Sequence, residues 1–151
     1  MPNKPTYEND TCEELLDLSR ANGQALILAT AAFLQESDVP IEAWAHYLGR
    51  VFASSWDPLL ELSAGDFLDA MLTNYRALGA DVLSARLGED VAEATITGFP
   101  KRELGLELRL ESSLADSYFH VPSALAADHG LQWSWSVDGP RVRLLVSRSG
   151  N

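Results

Sequence analysis

The sequence predicts an α+β fold, in which three N-terminal helices pack on a C-terminal antiparallel sheet of four to five strands that one short helix interrupts. Apolar residues recur with a helical period up to about residue 78 and with a period of two from residue 80 onward. Capping signals accompany the first part, and an Asp-Gly turn lies in the second. Helices followed by strands are typical of the α+β class.

Length and composition indicate one domain. The chain has 151 residues, and its first ten are polar, so we expect residues 1–10 to form a flexible tail and residues 11–151 to form a single α+β domain. The one cysteine, Cys12, excludes an internal disulfide and favours a reducing compartment. We find no signal-peptide pattern and no apolar run that could cross a bilayer, and therefore predict a cytoplasmic protein without membrane association.

Start signals position the three helices. Thr11 and Glu14 form a capping box, Pro40 suits a first helical turn, and Ser63 with Asp66 repeats the capping arrangement. The predicted helices are Cys12–Glu36, Pro40–Ser55 and 64–78.

Alternating apolar residues predict the strands 81–87, 91–99, 104–110, 131–137 and 140–146. The third shows the cleanest alternation, with leucine at every second position. The interrupting helix is expected at Pro122–His129. A two-residue Asp138-Gly139 turn would close the last hairpin and pair Val137 with Pro140, which puts apolar residues opposite one another on one face.

The charge is distributed unevenly. Residues 1–100 carry 16 acidic and 5 basic residues, whereas residues 101–151 carry 6 of each, so the whole net charge of −11 lies in the first part. Direct binding to nucleic acid is disfavoured, and we expect no nucleic-acid partner, because no basic patch is available to displace counterions from phosphates. A solvated face, adaptation to a salty cytoplasm and a docking surface for a basic partner all fit this acidity.

The element order resembles, in outline, the haem–nitric-oxide-binding and 4-vinyl-reductase type of sensor domain. Such a resemblance concerns the fold and implies an α+β architecture. The Y-x-S-x-R motif of the haem sensors and the cysteine-rich features of the vinyl reductases are absent from this sequence.

Three histidines are the main candidates for chemistry. Glu42 and His46 share a helix face and can begin a metal site, although the residues that would complete it are not evident and a surface ion pair explains them equally. His120 fits a pocket-lining or haem-proximal role, or a hydrogen bond beside a helix start. His129 fits a helix C-cap. No catalytic motif is present, and we expect no catalytic set, no metal and no cofactor.

The aromatic residues predict a binding surface. Four tryptophans, four tyrosines and five phenylalanines are many large rings for a small core. Core packing, an apolar cavity and a homo-oligomer interface are the competing interpretations. The residues that we assign to a ligand site are Trp44, Phe119, His120, Trp133 and Trp135.

The leading hypothesis is a non-enzymatic binding or regulatory domain that uses an aromatic-lined helix–sheet interface for a small apolar ligand or a protein partner. One alternative is an acidic adaptor, chaperone or inhibitor that docks a basic protein through its helical half. The other is a small enzyme with a site centred on His120 and nearby carboxylates.

Overall fold

The computed structural model describes residues 11–150, and the predicted tail 1–10 lies outside the described residues. The helices are α1 Cys12–Glu36, α2 Ile41–Ala53, α3 Ala64–Ala77, α4 Arg102–Glu107, α5 Ser112–Ala115 and α6 Pro122–Asp128, with a 3₁₀ helix at Asp116–His120. The strands are β1 Asp81–Leu87, β2 Val91–Thr97, β3 Leu131–Asp138 and β4 Arg141–Arg148. The α+β class is therefore confirmed, with helices first and a four-stranded antiparallel sheet later.

Local capping fixes the starts of two long helices. The side chain of Thr11 accepts a hydrogen bond from the Glu14 amide, and Glu14 accepts one from the Thr11 amide. Ser63 and Asp66 make the same reciprocal pair at the start of α3. Each box satisfies two amides that an isolated helix would leave unpaired, which is why both predicted starts are confirmed.

The sheet has the strand order β1-β2-β4-β3, and every neighbouring pair is antiparallel. One face carries buried side chains and receives α3 and α6. The buried residues of the two central strands are Ala92, Ala94, Ile96, Val142, Leu144 and Val146. The opposite face is polar, and there a hydrogen bond from Arg143 and the nearby Arg86 charge hold the pKa of Glu93 below its usual value. The sheet is thus covered on one side only.

The strand predicted at 104–110 is wrong. This segment contains α4, and Leu108 then ends the helix before Arg109 adopts a left-handed backbone with φ of 55°. Leucines at alternate positions also place Leu104 and Leu108 four residues apart on one helix face, and both pack on the cluster around Leu28. The interruption of the sheet therefore holds three short α-helices and a 3₁₀ helix, rather than the one helix that we expected.

The final hairpin exists, but the predicted register is wrong by two residues. Val137 pairs with Val142, and Asp138 pairs with Arg141, so the turn residues are Gly139 and Pro140. Gly139 has a positive φ of 56°, as tight hairpin turns require. Pro140 has no amide hydrogen to give to a ladder, which favours its place in the turn. A shift of two keeps every side chain on its face, so the apolar pattern could not detect the error.

A buried glutamine joins α1 to the rest of the domain. Gln24 is 1% exposed. Its amide nitrogen donates to the carbonyl oxygens of Leu78, at 2.7 Å, and Gly98, at 3.1 Å, while its oxygen accepts from the Lys101 amide. One side chain thereby connects the end of α3 and the segment after β2 to the middle of α1.

The outward face of α1 is apolar. Leu15, Leu18, Leu26 and Phe33 follow one another at helical spacing on one side, and their exposed fractions lie between 52% and 70%. No helix within residues 11–150 is long and apolar enough to cross a membrane. The stripe is therefore an exposed apolar surface without a partner among the described residues.

Candidate functional site

The site region lies where α2 meets the segment 116–125. Gly49 of α2 approaches the backbone of Val121 so closely that a Cβ atom at this position would lie 2.3 Å from the Val121 carbonyl oxygen. The absence of a side chain at Gly49 permits this contact. The contact fixes His120 and Val121 against the same helix that carries Glu42 and His46.

A cavity of about 330 Å³ lies between α2, α3 and this segment. Its wall is mainly apolar and is formed by Phe52, Trp56, Met71, Tyr75, Leu78, Tyr118, Val121, Pro122 and Leu125. Ser55, Asn74 and Ala77 also line it, and all three are exposed. The cavity therefore opens to solvent between the end of α2 and the end of α3.

Tyr75 is the buried polar group of the cavity wall. Its side chain is 3% exposed, and its hydroxyl has no hydrogen-bond partner among the described residues. Burial, followed by the nearby Tyr118, raises the pKa of Tyr75 well above 10, and burial also raises the pKa of Tyr118. Both hydroxyls are therefore neutral at physiological pH and able to donate hydrogen bonds.

Four of the five predicted ligand residues come together between the 3₁₀ helix and β3. The ring of Phe119 is fully buried and lies 6.2 Å from that of Trp135. The Trp133 indole donates to the Phe119 carbonyl oxygen at 2.7 Å. The His120 ring contacts Trp135 edge to face, with 4.5 Å between the centroids. These side chains pack on one another, and none of them lines the cavity.

Trp44, the fifth predicted residue, lies apart from this group. It packs on the cluster of α1, α2 and Leu110, and its ring lies 6.2 Å from that of Tyr118. A series of ring contacts through Tyr118 and Phe99 connects it to Phe119. The structure therefore divides the predicted set between two neighbouring clusters.

A carboxylate and two imidazoles converge beside the aromatic group. Glu42 Oε1 lies 3.5 Å from His46 Nε2 and 3.7 Å from His120 Nε2. The two imidazole rings lie 4.9 Å apart. One ligand atom from each residue lies within 4.8 Å of the others, a geometry that can hold a metal ion. The sequence indicated Glu42 and His46 as the beginning of such a site, and the fold adds His120.

Electrostatics favour a neutral His120. Burial lowers its pKa most strongly, the Glu42 carboxylate opposes that shift, and His46 adds to it. The neutral imidazole is the form that binds metals. The distance of 3.7 Å between His120 Nε2 and Glu42 Oε1 exceeds that of a direct hydrogen bond. The carboxylate therefore accepts no hydrogen bond from His120 in this geometry.

His129 and Cys12 lie outside the cavity and outside the cluster of Glu42, His46 and His120. His129 is the C-cap of α6, as predicted, and its Nδ1 lies 3.1 Å from the Leu60 carbonyl oxygen. Cys12 is exposed in the first turn of α1, among acidic neighbours.

Sequence reasoning did not assign Tyr75 or Tyr118 to a site. No local signal in the sequence showed that the Tyr75 hydroxyl lacks a partner among the described residues.

Two features of this region can bind a small molecule or an ion. One is an apolar cavity with a buried hydroxyl in its wall, and the other is a cluster of three possible metal ligands from Glu42, His46 and His120. No protein-family model, curated protein or solved structure matches this chain.

Proposed function

We propose that the chain is a binding domain for a small, mainly apolar molecule that carries one hydrogen-bonding group. The ligand occupies the cavity between α2, α3 and the segment 116–125. The observation that carries this proposal is the buried hydroxyl of Tyr75 in an apolar wall, which has no hydrogen-bond partner within residues 11–150. Cys12 is the lone cysteine and is free, which supports a protein that acts in a reducing compartment, the cytoplasm.

The size and lining of the cavity support this class of ligand. Pockets for small molecules commonly enclose about 300–1,000 Å³ and combine apolar walls with a few polar groups. A cavity of about 330 Å³ is at the lower end of that range and suits a molecule of one or two rings. The exposed Asn74 is available to hydrogen-bond a polar end of the ligand, and the Ser55 hydroxyl, which donates to the Phe52 carbonyl oxygen, can accept a hydrogen bond from it.

The energetics of Tyr75 support a polar group on the ligand. A buried hydroxyl without a partner costs about 1–3 kcal/mol in the free protein. The hydroxyl oxygen exposes less than 1 Å² to solvent, so a ligand reaches it only when neighbouring side chains move. A ligand that then supplies the missing acceptor or donor recovers part of this energy on binding. Native proteins leave few buried polar groups unpaired, so this hydroxyl calls for an explanation, and a bound ligand supplies one.

The substitution Tyr75→Phe separates the cost of the buried hydroxyl in the free protein from its contribution to ligand binding. We expect it to stabilise the free protein by about 1 kcal/mol, because the unpaired hydroxyl is removed without a change of shape. In the unmodified protein, 2-naphthol should bind more tightly than naphthalene. Tyr75→Phe should reduce that preference by about tenfold, equal to about 1.4 kcal/mol. Thermal unfolding gives the first quantity, and ligand-observed NMR titration gives the second.

A pair of neighbouring variants locates the ligand. Ala77 lines the cavity and Arg76 does not, although both are exposed near the end of α3. Ala77→Trp should block binding of both probes, whereas Arg76→Trp should leave it unchanged. Equal binding to Ala77→Trp and the unmodified protein would contradict the proposed location. A preference for 2-naphthol that survives Tyr75→Phe would contradict the role of the hydroxyl.

A basic, amphipathic segment of another protein is the second candidate ligand, and it would bind the apolar stripe of α1. The stripe consists of Leu15, Leu18, Leu26 and Phe33, which are all exposed. Four acidic residues and one basic residue lie on α1, and the first hundred residues carry the whole net charge of −11. This charge disfavours a second acidic copy of the chain and favours a positively charged partner.

A synthetic helical peptide built from leucine and lysine tests the second candidate. Anisotropy of the labelled peptide should show binding that weakens at least tenfold between low salt and about 0.5 M salt, where the Debye length falls to a few ångströms. Leu26→Ser with Phe33→Ser should weaken it comparably, and the control Leu83→Ser on exposed β1 should not. Salt-independent binding, or self-association through α1 in sedimentation, would contradict a basic partner.

A further inference from the structure

We propose that Glu42, His46 and His120 form a binding site for a divalent transition-metal ion, with Zn²⁺ as the preferred ion. Each residue contributes one ligand, and water completes the coordination. This site is independent of the apolar cavity, because none of the three residues lines that cavity.

The distances between the ligand atoms are close to those of a coordinated ion. Bonds of about 2.0–2.1 Å in a tetrahedral zinc site place neighbouring ligand atoms about 3.4 Å apart. Glu42 Oε1 lies 3.5 and 3.7 Å from the two imidazole Nε2 atoms, and one ligand atom from each residue lies within 4.8 Å of the others. Tetrahedral spacing requires the most distant of these ligand atoms to approach each other by at most about 1.4 Å.

The convergence of two imidazoles on one carboxylate oxygen distinguishes this cluster from a surface ion pair. A pair of His46 with Glu42 on one helix turn requires no third residue. His120 comes from a different element, yet its Nε2 approaches the same oxygen, and its ring lies 4.9 Å from that of His46. Two imidazoles and a carboxylate match the ligands that Zn²⁺ prefers.

The surrounding structure orients the ligands. Glu42 and His46 are four residues apart on α2, so the helix sets their separation. His120 is held by the backbone contact between Gly49 and Val121 and by the edge-to-face contact of its ring with Trp135. The side chains of Glu42, His46 and His120 are 61%, 39% and 25% exposed, so an ion can enter and water can reach the remaining coordination position.

The test uses the full chain, freed of any affinity tag and treated with a chelator that is then removed. We expect one Zn²⁺ per chain with a dissociation constant in the micromolar range or below, measured by competition with a chromophoric chelator. Co²⁺ should give the visible absorption bands of a low-coordinate site. At a Zn²⁺ concentration of about 100 times Kd, Tm should rise by roughly 6–10 °C. Mg²⁺ and Ca²⁺ should have no effect, because they prefer all-oxygen sites.

Single substitutions identify the ligands. His46→Gln, His120→Gln and Glu42→Gln should each weaken Zn²⁺ binding at least 100-fold, while the metal-free variants keep the circular dichroism spectrum of the unmodified protein. His129→Gln is the matched control, because His129 contacts the Leu60 carbonyl oxygen away from the cluster. It should bind Zn²⁺ as the unmodified protein does.

Two results would overturn the proposal. One is the absence of saturable Zn²⁺ binding up to millimolar concentration. The other is binding that persists in the folded His46→Gln and His120→Gln variants, which would mean that ligands elsewhere in the chain hold the ion.

Discussion

Replacement of Gln24 by leucine is expected to lower the free energy of unfolding by about 3–5 kcal/mol. The leucine would fit the volume but leave the carbonyl oxygens of Leu78 and Gly98 and the amide of Lys101 without their partner. Each buried group that loses its hydrogen bond costs about 1–3 kcal/mol. The loss should be measured by denaturant unfolding, in which the midpoint falls while the slope stays constant.

Gln35→Leu in the same helix is the matched control. The Gln35 side chain also bridges two backbone groups, the Arg109 carbonyl and the Glu111 amide, but these bonds are exposed to water. Water can replace the lost partner there, so the cost should stay near 1 kcal/mol. Equal effects of the two leucine substitutions would mean that burial of Gln24 does not determine its contribution.

The substitution Gly49→Ala is expected to lower the free energy of unfolding by about 2–3 kcal/mol. A Cβ atom at this position would lie 2.3 Å from the Val121 carbonyl oxygen, so α2 and the segment 116–121 must move apart. The gain in helix propensity, about 1 kcal/mol, offsets only part of this cost. Since His120 precedes Val121, we also expect Zn²⁺ affinity to fall about tenfold, by chelator competition.

Gly105→Ala provides the contrast. Gly105 lies in α4, and a Cβ atom there would meet no atom within 4 Å. This variant should be more stable by about 0.5–1 kcal/mol and should bind Zn²⁺ normally. A stable Gly49→Ala variant with unchanged Zn²⁺ affinity would show that the close approach of α2 to Val121 is not what positions His120.

Elements determined by neighbouring residues were predictable from the sequence. The capping boxes at Thr11 and Ser63 involve side chains three residues apart, so the starts of α1 and α3 follow from the sequence itself. The β1–β2 hairpin follows from the period of two that begins at residue 80 and from the turn at 88–90. These interactions do not depend on distant parts of the chain.

Elements determined by distant residues were not predictable. The alternating leucines of 104–110 satisfy either a strand or a helix, and packing of Leu104 and Leu108 near α1 decides for the helix. The register of the last hairpin depends on which two residues form the turn, and the apolar faces are identical for both choices.

The candidate site was predictable only in part. Glu42 and His46 are visible as a pair because a helix brings residues four apart together. The approach of His120 depends on how α2 packs against a segment more than seventy residues later, which no local pattern encodes. The cavity has the same origin, since α2, α3 and the segment 116–125 all contribute to its wall.

A crystal structure of the chain with 2-naphthol tests the central claim most directly. We predict one naphthol molecule in the cavity between α2, α3 and the segment 116–125, with its hydroxyl within hydrogen-bond distance of Tyr75. A cavity that remains without the probe at saturating concentration would contradict the proposed function. So would a naphthol molecule bound only elsewhere, such as beside Trp135.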